Sequence, residues 1–346
     1  MNKLLITVST VAMTLAVSAG MAAAQTRDTI QIAGSSTVLP FASIVAEEYG
    51  QAFPEFKTPV VGSGGTGGGL RQFCAGVGDN TIDIANASRR IRAGEIEACN
   101  AAGVNKILEV QIGYDGIVFA SSASKADFAL EPVHVFKAIA AQVAVDGQLV
   151  ANPYTRWNEI DPSLPDQPIA LAIPASNHGT REVFQERVID AGAKDAGLPE
   201  LDKDALAAVT TTFRQDVVIE IAGDYTETLA RLQSNPDTVG VFGLSFYDQN
   251  RDTLKVATVS GVTPSLETVA QGQYPVSRPL FFYVKGEHIG AVPGIEEFVE
   301  FFLSDQMAGL GGTLEAAGLI PAPAEETAEV LAEFQEGKIV TVADVQ

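Results

Sequence analysis

The stretch Val61-Gly62-Ser63-Gly64-Gly65-Thr66-Gly67-Gly68-Gly69-Leu70-Arg71 constrains this chain more than any other. Glycine has no Cβ, so a run this rich in it leaves backbone N–H groups open to close approach. Where an extended segment turns into a helix, those N–H groups suit an anion. A flexible surface loop remains the plainer reading of any glycine run. Small hydroxyl residues in the same kind of setting recur at Gly34-Ser35-Ser36-Thr37 and at Ser176-Asn177-His178-Gly179-Thr180-Arg181. Three such turns brought together would form an oxyanion cage.

The chain opens with Lys3, an apolar run from Leu4 to Val17, and small residues ending in Ala22-Ala23-Ala24. This pattern predicts a secretory leader, residues 1–24, cleaved after Ala24. Thr7, Ser9, Thr10 and Thr14 interrupt the run and no charged stop-transfer flank follows, which argues against a membrane anchor. We therefore expect an exported, periplasmic protein. Removing residues 1–24 takes away one charged side chain, Lys3, and moves the formal charge from −21 to −22. Such acidity excludes nucleic acid and anionic membranes as partners. It does not exclude a small anion, because surface charges are screened within about 8 Å whereas N–H groups touching a ligand are not. Cys74 and Cys99 are the only cysteines. In an exported chain an even pair favours a disulfide, with two buried thiols as the alternative.

Short β-rich runs at Thr29–Ile32, Thr58–Val61, Thr81–Ile84, Ile117–Phe119 and Ala170–Ile173 alternate with segments of helical period at Val38–Tyr49, Gly69–Ala75, Ala93–Ala101, Val133–Ala140 and Glu182–Asp190. This alternation predicts an α/β fold with mostly parallel sheets. In such folds ligands lie beyond the carboxyl ends of strands, where the hydroxyl-rich turns fall. The C-terminal residues 321–346 predict a helix followed by an extended tail.

Gly62-Ser63-Gly64-Gly65-Thr66-Gly67 matches a dinucleotide fingerprint in form, with Asp83 about twenty residues on, but it follows a second strand rather than a first. No Lys-Ser or Lys-Thr completes a phosphate loop of the Walker type. Ser35, Ser36 and Thr37 precede a helix, where capping requires only one of them. His178 can donate to an anion or cap the helix, Gly179 permits close backbone approach, and Thr180 and Arg181 add a hydroxyl and a forked guanidinium. Ser88 and Arg89 stand at another strand end, and Asp115 lies between glycines ahead of an apolar strand. Asp115 reads equally as a turn residue. His134, His178 and His288 fall in no metal-binding spacing, no nucleophile elbow occurs, and Trp157 reads as packing. We expect no metal, no cofactor and no catalytic residue; a secreted phosphatase is the enzymatic alternative.

Ala33-Gly34-Ser35-Ser36-Thr37, Thr66-Gly67-Gly68-Gly69, Asp83-Ile84-Ala85-Asn86-Ala87-Ser88-Arg89, Gly113-Tyr114-Asp115-Gly116, Gly179-Thr180-Arg181 and Tyr274-Pro275-Val276-Ser277-Arg278-Pro279-Leu280 follow one another in an order that resembles the phosphate-binding protein of the Pst-type ABC importer. The resemblance covers nearly the whole chain after the leader. It implies a type II periplasmic-binding fold: two α/β lobes joined by two crossovers, closing on a ligand between them. The lobes would span residues 25–113 with 275–346, and 114–274. It places Ser35, Ser36, Thr37, Thr66, Gly67 and Ser88 at the ligand from the first lobe, and Gly179 and Thr180 from the second.

Two positions depart from the family. Arg89 stands where members carry the aspartate that accepts the phosphate proton, and Pro174 where they carry an arginine before the Gly-Thr pair. We expect Asp115 and Arg181 to supply those roles. The partners implied are inorganic phosphate or a similar tetrahedral oxyanion, such as arsenate or sulfate, and the membrane subunits of an ABC permease, with the binding protein a monomer. A periplasmic sensor presenting its liganded form to a membrane receptor is the alternative in the signalling class.

Overall fold

A computed structural model describes residues 27–176, 178, 180–222 and 225–345. The leader expected over residues 1–24 and the candidate Gly179 lie outside the described residues. Strand β1 (Gln31–Gly34) pairs in parallel with β2 (Val60–Ser63) on one side and β3 (Ile84–Ala87) on the other. All of β3 is buried, as expected of a strand covered on both faces. Helix α1 (Leu39–Ala52) carries Pro40 in its first turn, where no N–H is needed, and buries Phe41, Ala42, Val45, Ala46 and Tyr49 as one stripe.

The glycine run does not form a loop. Strand β2 passes almost directly into helix α2 (Gly65–Phe73), which begins four residues before the helical segment expected from the sequence. Close packing explains why: a Cβ on Gly69 would lie 2.4 Å from the Cα of Gly34 and 2.7 Å from the Ala33 carbonyl. Helix α2 thus rests on the bare backbone of β1. A disulfide joins Cys74, at the end of α2, to Cys99 in α3 (Ala93–Ala101).

Strand β4 (Ile107–Ser122) is the longest and is shared by both halves of the sheet. Beyond it come α4 (Pro132–Ile139), β5 (Leu171–Pro174), α5 (Arg181–Phe184), β6 (Val218–Ile221), α6 (Tyr225–Ser234), β7 (Val239–Gly243) and β8 (Leu254–Val256). The chain then returns as β9 (Ser277–Lys285), continues through α7 (Ile295–Phe302) and ends with α8 (Ala324–Gln335) and a short 3₁₀ turn, Val342–Val345. The strand order is β2-β1-β3-β9-β4-β7-β5-β6, with β8 also on β4.

The expectation of mostly parallel sheets holds only for the outer strands. β4 and β9 run antiparallel to each other, and β4 runs antiparallel to β7. A strand that leaves one half of the molecule and another that comes back must point in opposite directions. Their pairing sets Arg278 directly opposite Asp115, and their register shifts between Leu280 and Phe281. Gly113 lies nearby with φ +134°, where a Cβ would meet the Ile320 carbonyl at 2.6 Å, so only glycine fits.

Two apolar cores flank the first half of the sheet, one under α1 and α7 and one under α2 and α3. A third, centred on Phe119, Phe136, Trp157, Phe184 and Phe242, fills the second half. Asp83 is fully buried at the amino ends of β1 and β3, opposite the hydroxyl-rich turns, accepting from the Gln31 N–H at 2.7 Å and bonded to His288 Nδ1 at 2.6 Å. Among the described residues no helix is long and apolar enough to cross a membrane.

Candidate functional site

The turn from β1 into α1 separates its three hydroxyls. Ser35 is buried, and its Oγ accepts the N–H of Thr37 at 3.2 Å and of Val38 at 3.4 Å, so it serves the helix start. Ser36 is exposed. Thr37 is buried and turns its hydroxyl toward the second half of the molecule. At the head of α2, Thr66 Oγ1 accepts the Ser88 N–H at 3.0 Å, and the two hydroxyls lie 3.1 Å apart. Thr37, Thr66 and Ser88 thus form a buried rim of hydroxyl groups at the carboxyl ends of β1 and β3.

Arg278, on β9, supplies the charge, and its side chain is only 3% exposed. Its Nη2 donates to Thr37 Oγ1 at 3.2 Å and to Asp115 Oδ2 at 3.3 Å, its Nε reaches the same Asp115 oxygen at 3.4 Å, and its Nη1 donates to Glu186 at 2.8 Å. Burial pushes the Asp115 carboxyl up to about 6, against the opposing pull of Arg278. The Thr37 hydroxyl donates to Glu182 Oε2 at 2.6 Å, Ser88 Oγ lies 3.5 Å from Glu182 Oε1, and Arg278 Nη2 stands 3.4 Å from Oε2. Two hydroxyls and a buried guanidinium therefore converge on one carboxylate, a geometry suited to holding an anion.

The opposite wall comes from the turn after β5. Thr180 N–H donates to His178 Nδ1 at 3.3 Å, which makes that nitrogen an acceptor; the Thr180 hydroxyl lies 2.9 Å from it and receives Tyr225 O–H at 3.3 Å. Tyr225 packs against His178, Phe242 and Phe246. Thr37, Asp115, His178, Thr180, Tyr225 and Phe246 line one cleft of about 410 Å³.

The remaining candidates have partners of their own. Arg89 makes a forked pair with Glu95, at 2.8 and 2.9 Å, and Glu95 also accepts the Arg92 N–H at the start of α3. This pairing raises the Arg89 guanidinium further above its usual range. Arg181 donates to the Pro174 carbonyl at 2.8 Å and to Glu220 at 2.9 Å, with its guanidinium over the Phe213 ring. Gly67 is inside α2, where a Cβ would face Arg71 at 3.6 Å. Arg181 is thus held by Pro174 and Glu220, whereas Arg89 stays beside the rim, its Nη2 4.0 Å from where a Cβ on Gly67 would lie.

Arg278 and Glu186 were not singled out by the sequence reading, which holds Glu182 only as an alternative acid should Asp115 prove a turn residue. The signal for Arg278 was a charged residue abutting the apolar run of residues 279–284, which in a buried strand demands a partner. Glu182 and Glu186 are four apart, a spacing that puts both on one side of a helical turn.

A family model described as PBP superfamily domain matches residues 19–306. Protein SphX of Synechocystis sp. is 32% identical over 92% of this chain and 85% of its own length. Phosphate-binding protein PstS of Staphylococcus epidermidis is 28% identical over 84% of this chain and 78% of its own length. Among solved structures, a possible phosphate binding protein from Planctomyces limnophilus superposes with a TM-score of 0.70 at 26% identity, covering 90% of this chain and 98% of its own. PstS from Borrelia burgdorferi has the same fold, with a TM-score of 0.59. The two-part sheet, the shared strands β4 and β9, and these similarities together show that the chain belongs to the PBP superfamily, as a relative of the Pst-type phosphate-binding proteins.

Proposed function

We propose that this protein captures inorganic phosphate between its lobes and delivers it to the membrane subunits of an ABC permease, with no chemical step. The observation that carries this reading is the convergence of Thr37, Ser88 and the buried Arg278 on a single carboxylate at the lobe junction. Those donors fit an oxyanion, and the relatives named above as phosphate-binding supply the ligand class. Arg278 fills the role of the arginine missing at Pro174. Thr66 stands behind Ser88, and Thr180 with His178 closes the cleft from the other wall. Asp115 accepts the proton of the bound oxyanion, since its carboxylate lines the same cleft and a carboxylate only accepts once ionised.

The lobes are residues 25–113 with 275–346, and 114–274, a division supported by the separation of the apolar cores. The protein works in the periplasm, a placement that rests on the leader pattern of residues 1–24. The test is calorimetric titration of ligand-stripped protein with phosphate, arsenate and sulfate. Saturable phosphate binding, with sulfate weaker by orders of magnitude, is the expected result. Absence of phosphate binding, or preference for sulfate, would refute the assignment.

A further inference from the structure

Glu182 occupies an odd place for a side chain in an anion site. Its carboxylate comes from α5, on the far side of the cleft, yet both of its oxygens lie on groups expected to hold the ligand. Thr37 donates to one at 2.6 Å, Ser88 stands 3.5 Å from the other, and Arg278 lies 3.4 Å away. Thr37 and Ser88 are buried at 4% and 2% exposure, whereas the Glu182 side chain is 37% exposed. The donors are therefore fixed and the carboxylate can leave toward solvent.

We infer that Glu182 is a tethered rival of the ligand: it competes for the donors Thr37, Ser88 and Arg278, and a bound anion must displace it. The inference rests on the oxyanion-binding reading of this cleft and adds the residue that sets which anions succeed there. A monocarboxylate offers the same two oxygens and one charge, but it surrenders translational freedom on binding that Glu182, already attached, does not. Exchange of one for the other gains nothing. A tetrahedral oxyanion has more oxygens and more charge, so it can satisfy Thr37, Ser88, Arg278 and a donor from the Thr180 turn together. Displacement leaves Arg278 paired with Asp115 and Glu186, and no buried guanidinium is stranded.

The rival also joins the lobes. Thr37 and Ser88 lie before β4 and Glu182 lies beyond it, so the pairing draws the empty cleft shut, with Glu186 on Arg278 as a second strap. A protein whose competent state is a minority binds more weakly by that fraction.

Glu182→Gln keeps the shape and removes the charge, and Glu182→Ala removes the contact. If the latched form outnumbers the competent one by about ten to one, both variants bind phosphate about tenfold more tightly than wild type. Both also acquire measurable binding of formate and acetate at millimolar concentration, which wild type lacks. Unchanged or weakened phosphate binding in both variants would overturn the inference, making Glu182 a bystander or an assisting group. Failure of wild type and variants alike to bind phosphate would instead refute the proposed function. The rival is then judged without ligand by X-ray scattering of Glu182→Gln/Glu186→Gln: a larger radius of gyration than ligand-free wild type supports it, and an identical one sinks it.

Discussion

Replacing Arg278 separates binding from folding in a way the structure lets us calculate. Arg278→Gln removes the guanidinium that faces both Thr37 and Asp115. Loss of a charge-assisted contact to the anion costs about 3 kcal/mol, a factor of about 150 in Kd. Folding is harder to judge, because breaking a buried ion pair from one side commonly costs about 3–5 kcal/mol. Here Asp115 limits that cost by taking up a proton. Its carboxyl is already raised from 3.8 to about 6, so carrying it charged costs about 3 kcal/mol in the wild type. Without the Arg278 guanidinium the burial that already raises the Asp115 carboxyl acts with less opposition and favours its neutral form. Taking up that proton keeps the destabilisation through Asp115 below the cost of a stranded buried carboxylate.

Arg278→Gln should therefore fold, unfold at slightly lower denaturant, and bind phosphate at least a hundredfold more weakly, by about 3 kcal/mol. The double variant Arg278→Gln/Asp115→Asn should recover the stability and not the binding. Denaturant unfolding and calorimetry on the three proteins read both quantities. Wild-type affinity in Arg278→Gln, or binding restored in the double variant, would refute the argument.

Three further outcomes follow from other parts of the molecule. Because the folded Asp115 has a raised pKa, its stability contribution is present below about 4 and lost as pH rises through about 6. Asp115→Asn should flatten that fall, read by unfolding at pH 4 to 7; parallel profiles would show that Asp115 is not carried charged at a cost. Cys74→Ser/Cys99→Ser should lose about 3.5 kcal/mol, from a disulfide spanning 25 residues, with phosphate affinity unchanged; equal melting temperatures would remove the bridge as a stabiliser. Gly69→Ala should lose about 1–3 kcal/mol by overpacking against Gly34, and it should weaken binding through displaced Thr66; wild-type melting would show that the α2–β1 contact gives way easily.

Local chemistry made part of this molecule legible. Ala93–Ala101 is helical over the range its period predicts, and α1 begins at the hydroxyl turn where a helix start was expected. The glycine run was ambiguous because loops, anion cradles and close helix packing all call for glycine. Only the position of Gly34, far back in the chain, decides among them. The partner of Arg89 was not legible as such: Glu95, six residues on, both caps α3 and pairs with the guanidinium. Arg278 meets Asp115 across 163 residues through the pairing of β4 with β9, and no window on the sequence contains that pairing.

An anion site in a chain of net charge −21 cannot depend on the field of the whole protein. At close range the charge of the buried Arg278 is countered by Asp115, Glu182 and Glu186, and Arg71 and Arg89 lie further out, over the head of α2. Attraction has to come from donors fixed in place before the ligand arrives: the buried hydroxyls of Thr37 and Ser88 and the fork of Arg278. Those donors act on any oxyanion. The carboxylates do not, because an ionised carboxylate repels an unprotonated oxygen and accepts a hydrogen bond from a protonated one. Glu186 stands on the turn that follows α5, so even with Glu182 displaced by the ligand an acid stays beside Arg278 as the lobes close. A fully ionised oxyanion meets growing repulsion during closure, and one that still carries a proton gains an acceptor. Placing acids on the moving wall thus makes closure itself the step that tells the two apart.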